Sequence, residues 1–200
     1  IDQPCMPGGA NTFGWSRPVA FSPEGDDVAL ACSRGVLVVP IDAPDHPRIL
    51  SNDPSSSVTW SPDGSRVAFD QPDDSIWVAA ADGADPAVRI SDTGNMPIWS
   101  PDGSLIAFAD AYRVRIASPD GTNRRAIGVE DISRFGGWSP DGRQILEIRN
   151  PSGLAEAWDL VAVDVATDRE RTLLHAVPTG SSAIFTGLQD VSWAPVWRDR

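Results

Sequence analysis

The chain has 200 residues, 41% of them hydrophobic, and a formal net charge of −12 at pH 7. That length is enough to bury a core, and eight Trp indicate a packed domain rather than a flexible tail. The acidic excess disfavours nucleic acid and anionic membranes as partners. No apolar run approaches the roughly 20 residues that cross a bilayer, so direct membrane insertion is not expected.

The first segment, residues 1–14, reads "IDQPCMPGGANTFG" and is predicted to be an N-terminal arm or a closing segment. The chain starts at Ile1 rather than Met, which favours a mature or trimmed piece or a fragment of a longer protein. Cys5 and Cys32 are the two cysteines, and in an exported protein they can form one disulfide, worth roughly 3 kcal/mol. The alternative is a buried free thiol at Cys32, which lies in the apolar stretch "VALAC".

The rest of the chain, residues 15–200, is built from a repeat that recurs every 39 residues. An aromatic residue followed by Ser-Pro occurs in "AFSPEGDDVAL", "TWSPDGSRVAF", "IWSPDGSLIAF" and "GWSPDGRQILEI". A fifth, degenerate copy is "SWAPVW" around Trp193. The repeat units therefore start near residues 15, 57, 96, 135 and 189.

Each repeat predicts four strands separated by turns. In the second repeat the predicted strands are "SVTWS", "SRVAFD", "SIWVAAA" and "AVRIS", with "PDG", "QPDD" and "DGADP" between them. Val, Ile, Trp and Phe between Pro, Gly and Asp clusters are typical of strands and tight turns. The Trp before each turn is predicted to pack between neighbouring sheets.

These residues resemble a known family. "WSPDG" followed by "RVAF" or "LIAF", and then by "IWVAAADG", is similar to the TolB-type repeat, a bacterial relative of the WD repeat. The resemblance implies an all-β fold, a β-propeller of four-stranded antiparallel blades. Four full repeats and a fifth first strand allow four to six blades, and an incomplete ring would favour self-association. The resemblance also implies an exported bacterial protein, periplasmic or extracellular, that binds other proteins.

Binding is predicted for the loops that do not repeat, because variable loops on a rigid scaffold usually carry function. The repeated Asp63, Asp102 and Asp141 are instead assigned a structural role in the "PDG" turns. No metal site is predicted, although the acidic loop "DQPDDS" has hard oxygen ligands that suit a weakly bound calcium ion. The predicted partner-binding residues are Arg34, Asp53, Asp70, Asp74, Asp92, Asn95, Tyr112, Arg113, Arg134 and Asn150.

The sequence predicts no enzyme. It has no G-x-S-x-G nucleophile elbow, H-E-x-x-H, P-loop or G-x-G-x-x-G, so no catalytic residue and no cofactor are expected. The function predicted is a non-catalytic protein-binding or scaffold module. Two alternatives stay open at this stage: a ligand-sensing ectodomain of a membrane-anchored parent, and the propeller companion of a peptidase or lyase.

Overall fold

The computed structural model describes residues 17–129, 132–149 and 159–175, without the side chains of residues 132–135. These residues form two compact units, one within residues 1–110 and 116–124, the other within residues 111–115 and 125–200. The predicted arm at residues 1–14 and the fifth repeat copy at Trp193 lie outside the described residues.

Sixteen strands are described, and they form four antiparallel sheets of four strands, as the repeat predicts. Within each sheet the strands are neighbours in chain order. Sheet one contains β1 (Val19–Phe21), β2 (Asp27–Cys32), β3 (Gly35–Pro40) and β4 (Arg48–Ser51). Sheet two contains β5 (Val58–Trp60), β6 (Arg66–Asp70), β7 (Ile76–Ala80) and β8 (Val88–Ser91). Sheet three contains β9 (Asn95–Trp99), β10 (Ile106–Asp110), β11 (Arg113–Ala117) and β12 (Arg125–Ile127). Sheet four contains β13 (Ile132–Trp138), β14 (Gln144–Arg149), β15 (Asp159–Asp164) and β16 (Glu170–Leu174).

The Ser-Pro-Asp-Gly stretch forms the tight turn that joins the first two strands of a sheet. In sheet two, the amide of Gly64 donates to the carbonyl of Ser61 at 2.9 Å, and the amide of Ser61 donates to the carbonyl of Arg66 at 2.9 Å. Gly64 has φ +70°, in the left-handed region that glycine adopts without a steric penalty. The turn therefore sets the register in which Trp60 pairs with Val67.

Successive sheets in the first unit pack through alternating residues. Ala20, Ala29 and Val38 on one face of sheet one share a core with Trp60 and Phe69 of sheet two. The indole Nε1 of Trp60 donates to the carbonyl of Ala20 at 3.0 Å, which pins the ring between the sheets. Successive side chains of a strand point to opposite faces of its sheet, so the alternate residues of sheet two face sheet three.

The same arrangement recurs one repeat later. Ile76 and Ile90 of sheet two pack with Trp99, Ile106 and Phe108 of sheet three, and all five are at most 6% exposed. The predicted position of the repeated Trp between sheets is therefore observed for Trp60 and Trp99. Among the described residues, no helix is long and apolar enough to cross a membrane.

Candidate functional site

Four non-repeating loops of the first unit lie together and form what we call the loop surface: residues 32–35, 51–57, 70–75 and 91–95. They leave the same edge of their sheets because neighbouring strands alternate in direction. The amide of Ser55 donates to the carbonyl of Cys32 at 3.1 Å, which joins the second loop to the first. Side-chain contacts described below join the second loop to the third and the third to the start of β9.

The carboxylate of Asp70, at the end of β6, holds these loops together. Its Oδ1 accepts from the amides of Ser56 and Ser57, each at 2.9 Å, and from the Ser56 hydroxyl at 3.0 Å. The Ser55 hydroxyl also donates to Oδ1, at 3.4 Å. Asp70 is only 3% exposed, so its charge is surrounded by donors rather than water.

Asp70 also reaches the first strand of sheet three. Its Oδ2 accepts from the amide of Met96 at 3.2 Å. Met96 has φ +55°, which is uncommon for a residue with a Cβ, and the hydrogen bond helps to hold that backbone. One buried carboxylate thus joins the entry to sheet two with the entry to sheet three.

A close approach of backbone fixes the first loop against the second. Gly35 has φ +140°, and a Cβ placed there would lie 2.0 Å from the carbonyl oxygen of Ser51. Only glycine fits this position without moving the backbone of the second loop. The side-chain amide of Gln71 in the third loop donates to the Ser51 hydroxyl at 3.2 Å and lies 3.5 Å from Asp53 Oδ2.

The predicted binding residues divide by exposure. Arg34, Asp53 and Asp74 are exposed on the loop surface. Asp70 is the exception, because its burial removes it from direct contact with a partner and gives it a positioning role instead. Asp92 is exposed but paired, with its Oδ1 3.2 Å from Arg89 Nε.

The remaining predicted residues are half-buried, belong to the second unit or lie outside the described residues. Asn95 is half-buried at the start of β9. Tyr112, which is 67% exposed, and the half-buried Arg113 belong to the second unit. Asn150 and the side chain of Arg134 lie outside the described residues.

One cluster was missed by the sequence analysis. Arg89 on β8 lies 3.3 Å from Asp73 through its Nη2 and sits 5.9 Å from the centroid of the Trp77 ring. The Trp77 Nε1 donates to the Ser75 hydroxyl at 2.7 Å. An ion pair and a cation–π contact thus brace the third loop against the outer strand of sheet two. Trp77 and Arg89 are directly opposite each other on β7 and β8, and the sequence does not indicate this pairing until the strand register is known.

The three repeated aspartates lie in the turns at the opposite edge of their sheets. Asp63 accepts from the Ser61 hydroxyl at 2.6 Å and from the Ser65 amide at 3.0 Å. These bonds, led by the one from Ser61, lower the pKa of Asp63 below its usual range. Asp102 and Asp141 make the same bonds to Ser100 and Ser139, with the same direction of pKa shift.

A groove of about 440 Å³ opens beside two of these turns. Its lining includes Asp63, Arg66, Trp99 and Asp102. Both carboxylates already accept hydrogen bonds from their own turns, and the buried Nε1 of Trp99 has no hydrogen-bond partner among the described residues. The groove therefore offers few groups with which to orient a ligand.

The second unit contains a buried charged cluster. Arg149 donates from Nε to Glu147 Oε2 at 3.0 Å and from Nη1 to Glu170 Oε2 at 2.7 Å. Burial raises the pKa of Glu147 to about 7, although the bond from Arg149 opposes the shift. Glu147 is 0% exposed, and its Oε1 has no hydrogen-bond partner in the part of the chain that the structure describes. The amide of Gly128 donates to Asp168 Oδ1 at 2.7 Å beside this cluster.

Cys32 is fully buried, and no cysteine in the part of the chain that the structure describes is free. Its predicted partner, Cys5, lies outside that part, so the pairing stays a prediction. Within the described ranges, no three His, Cys, Asp or Glu residues are arranged to hold a metal ion.

Comparison with known proteins identifies the fold. The chain is similar to a solved structure assigned as TolB from Agrobacterium tumefaciens, with a TM-score of 0.62 and 18% sequence identity over 85% of this chain and 68% of that one. It is also similar to a chain in the crystal structure of the mitotic checkpoint complex, with a TM-score of 0.63 and 17% identity over 84% of this chain. The fold is a TolB-like, WD-like β-propeller.

The four described sheets are therefore propeller blades. The chain spans 51% of the checkpoint-complex chain that it matches, so the activity of that whole protein does not transfer with the fold. No family model and no curated protein matches the propeller's sequence.

Proposed function

We propose that this chain is a non-catalytic β-propeller module, exported by a bacterium, that binds another protein through the loop surface. The observation that carries the proposal is the Asp70 network, which joins the loop that enters sheet two to the first strand of sheet three. A surface whose backbone is already fixed loses little conformational entropy when a partner docks. Asp53 and Asp74 are exposed on this surface, as is the side chain of Arg34.

The charge of the loop surface indicates what kind of partner it suits. Asp73 and Asp92 are partly neutralised by Arg89, whereas Asp53 and Asp74 are exposed carboxylates with no ion pair among the described residues. Together with the net charge of −12, they favour a partner with a basic patch. Such complementarity speeds encounter and weakens as salt is added.

Two further observations support the proposal. The checkpoint-complex neighbour is itself a chain of a protein assembly, so the fold is compatible with protein binding. The absence of a free thiol at Cys32 supports export, because disulfides persist in oxidising compartments and are rare in the cytosol.

The test is a charge reversal with a matched control. Asp53→Arg combined with Asp74→Arg changes the loop surface, while Asp45→Arg combined with Asp85→Arg makes the same change of net charge at exposed positions on the opposite edge. Affinity capture from a periplasmic extract, followed by titration of the captured protein, should give a dissociation constant at least about tenfold weaker for the loop variant only. Equal binding by wild type and the loop variant, or equal loss in both variants, would contradict the proposal.

A further inference from the structure

A buried carboxyl group in sheet four takes the place of a phenyl ring. Glu147 on β14 occupies the repeat position that Phe69 has in sheet two and Phe108 has in sheet three, and all three residues are 0% exposed. An ionised carboxylate is costly to bury unless it is paired and fully hydrogen-bonded. The partners of Glu147 therefore decide whether it carries a charge.

The described side chains around Glu147 include one cation for three carboxylates. Arg149 donates from Nε to Glu147 Oε2 at 3.0 Å. It also donates to Glu170, from Nη1 to Oε2 at 2.7 Å and from Nη2 to Oε1 at 3.0 Å. The third carboxylate, Asp168, is exposed in the turn before β16. One guanidinium is thus divided between Glu147 and Glu170.

The neighbouring strands place apolar residues beside Glu147. It pairs with Val161 on β15 and with Phe135 on β13. Arg125, a charged residue of β12, donates to the carbonyl of Val165. Arg149 is therefore the cation on which an ionised Glu147 would depend.

The surplus negative charge of this cluster would fall on Glu147. The Glu170 side chain is 31% exposed, and Arg149 and, to a smaller extent, the amide of Val129 lower its pKa. Glu147 Oε1, in contrast, accepts no hydrogen bond from any residue that the structure describes. Burial raises the pKa of Glu147 to about 7, and the charges of Glu170 and Asp168 add to the rise. Glu147 is thus the carboxyl group of the cluster that binds a proton most readily.

The backbone that follows β12 covers the unpartnered oxygen. A Cβ placed on Gly128 would lie 2.7 Å from Glu147 Oε1, so the chain at this position lies directly against that oxygen. The amide of Gly128 donates to Asp168 Oδ1 at 2.7 Å, and the amide of Val129 donates to the Glu170 carboxylate. The other two carboxylates of the cluster therefore hold the backbone that covers Glu147.

We propose that Glu147 is a proton-operated latch for residues 128–129. With its proton, the carboxyl group is neutral and tolerates the backbone of Gly128 against Oε1. Without the proton, Oε1 carries charge and needs a donor, which water supplies once residues 128–129 move away. This inference is independent of the loop surface and of the protein partner proposed for it.

The direction and size of the response follow from the protonation of Glu147. Because its folded-state pKa is raised, the proton leaves as pH rises, and the latch opens towards alkaline pH. A pKa of about 7 in the closed state, against the ordinary 4.5 when water reaches the group, limits the change in the open-to-closed ratio to about 300-fold. About 70-fold of this falls between about pH 5 and 8, so a latch that is open in roughly one molecule in twenty at the lower pH is open in most molecules at the higher.

NMR of the whole chain tests the proposal. The carboxyl carbon of Glu147, assigned by its absence in Glu147→Gln, should titrate with a midpoint near 7. Backbone order parameters at residues 128 and 129 should fall from about 0.85 at about pH 5 to below about 0.6 at about pH 8, while those of Leu146 and Ala162, paired within sheet four, stay unchanged. In Glu147→Gln, which is neutral throughout, residues 128 and 129 should stay ordered at both pH values.

Two further variants complete the test. Glu170→Gln keeps an acceptor for the Val129 amide but leaves Arg149 to Glu147 alone, so the midpoint of Glu147 should fall by at least about 0.5 pH unit. This variant also serves if Glu147→Gln fails to fold. Glu24→Gln, at an exposed turn of sheet one, is the control and should change neither the midpoint nor the order parameters.

Three results would each overturn the proposal. The first is a Glu147 midpoint in the ordinary glutamate range near about 4.3. The second is equal order at residues 128 and 129 at both pH values in the wild type. The third is a loss of order at high pH that persists in Glu147→Gln.

Discussion

Replacing Asp70 by Asn should destabilise the protein out of proportion to the size of the change. The substitution keeps the shape of the side chain but converts one acceptor oxygen into a donor NH₂ group. If the amide oxygen keeps the bonds to Ser56 and Ser57, the NH₂ group faces the amide of Met96, which now donates at 3.2 Å to Oδ2. The NH₂ group of the Asn and the Met96 amide, both donors, then face each other at a position where Asp70 is only 3% exposed.

The magnitude follows from the bonds that change. Hydrogen bonds to a charged group contribute about 1.5–3 kcal/mol, and a buried donor left without a partner costs about 1–3 kcal/mol. Asn retains some of the contacts to the 55–57 loop, so we expect a loss of about 2–4 kcal/mol in the free energy of unfolding. For an m-value near 2–3 kcal/mol/M, the urea midpoint falls by about 1 M.

Urea unfolding followed by Trp fluorescence measures this shift. The matched control is Asp53→Asn, an exposed carboxylate whose one described side-chain contact is 3.5 Å from Gln71. The control should change the free energy of unfolding by less than about 0.5 kcal/mol. A loss below that value for Asp70→Asn would show that the network does not stabilise the loop surface, and would refute the reasoning.

Three further predictions use matched positions. Trp60→Phe and Trp99→Phe both remove buried ring volume, but only the first also removes an indole hydrogen bond, because Trp99 Nε1 has no partner among the described residues. Trp60→Phe should therefore cost about 1 kcal/mol more by urea unfolding than Trp99→Phe, and equal losses would contradict this. Gly128→Ala places a Cβ 2.7 Å from Glu147 Oε1, whereas the Cβ of Gly25→Ala meets nothing within 4 Å. Because φ is positive at both sites, the backbone strain is shared, and the clash should make Gly128→Ala lower the thermal midpoint more. Because the folded-state pKa of Glu147 is raised to about 7 from 4.5, its contribution to stability falls as pH rises from about 5 to 8. The free energy of unfolding, measured with urea, should fall by about 1–3 kcal/mol over that window in the wild type but much less in Glu147→Gln. Parallel pH profiles for the two proteins would contradict the raised pKa of Glu147.

The repeat made the fold predictable because each copy combines local and long-range signals. Ser-Pro-Asp-Gly specifies a turn through its own backbone preferences, and the flanking apolar residues specify two strands. In the second repeat the predicted strands contain β5, β6, β7 and β8. The same pattern predicted the position of Trp60 between sheets, because the residues on both faces of the flanking strands are apolar.

The loop surface was predictable in place but not in chemistry. Asp53 and Asp74 are exposed, yet Asp70 is buried, because its role depends on four donor groups from residues 55–57, which precede it by more than ten positions. Its equivalents one repeat before and after are Ala31 and Ala109, so repetition gave no guide. The run Ser55–Ser57, three hydroxyls just before a strand, was the one signal of a buried acceptor nearby.

The burial of Asp70 also separates two ways in which a variant can weaken binding through the loop surface. Asp53 and Asp74 would act on a partner through charge, so the effect of reversing them should shrink as salt screens exposed charges beyond about 3 Å at 1 M ionic strength. Asp70 is only 3% exposed and acts by keeping the 55–57 loop and the start of sheet three in one arrangement. A partner that binds the Asp70→Asn variant must first order those loops, and that entropic cost does not depend on ionic strength. Salt dependence therefore distinguishes a residue that contacts the partner from one that positions the surface it contacts.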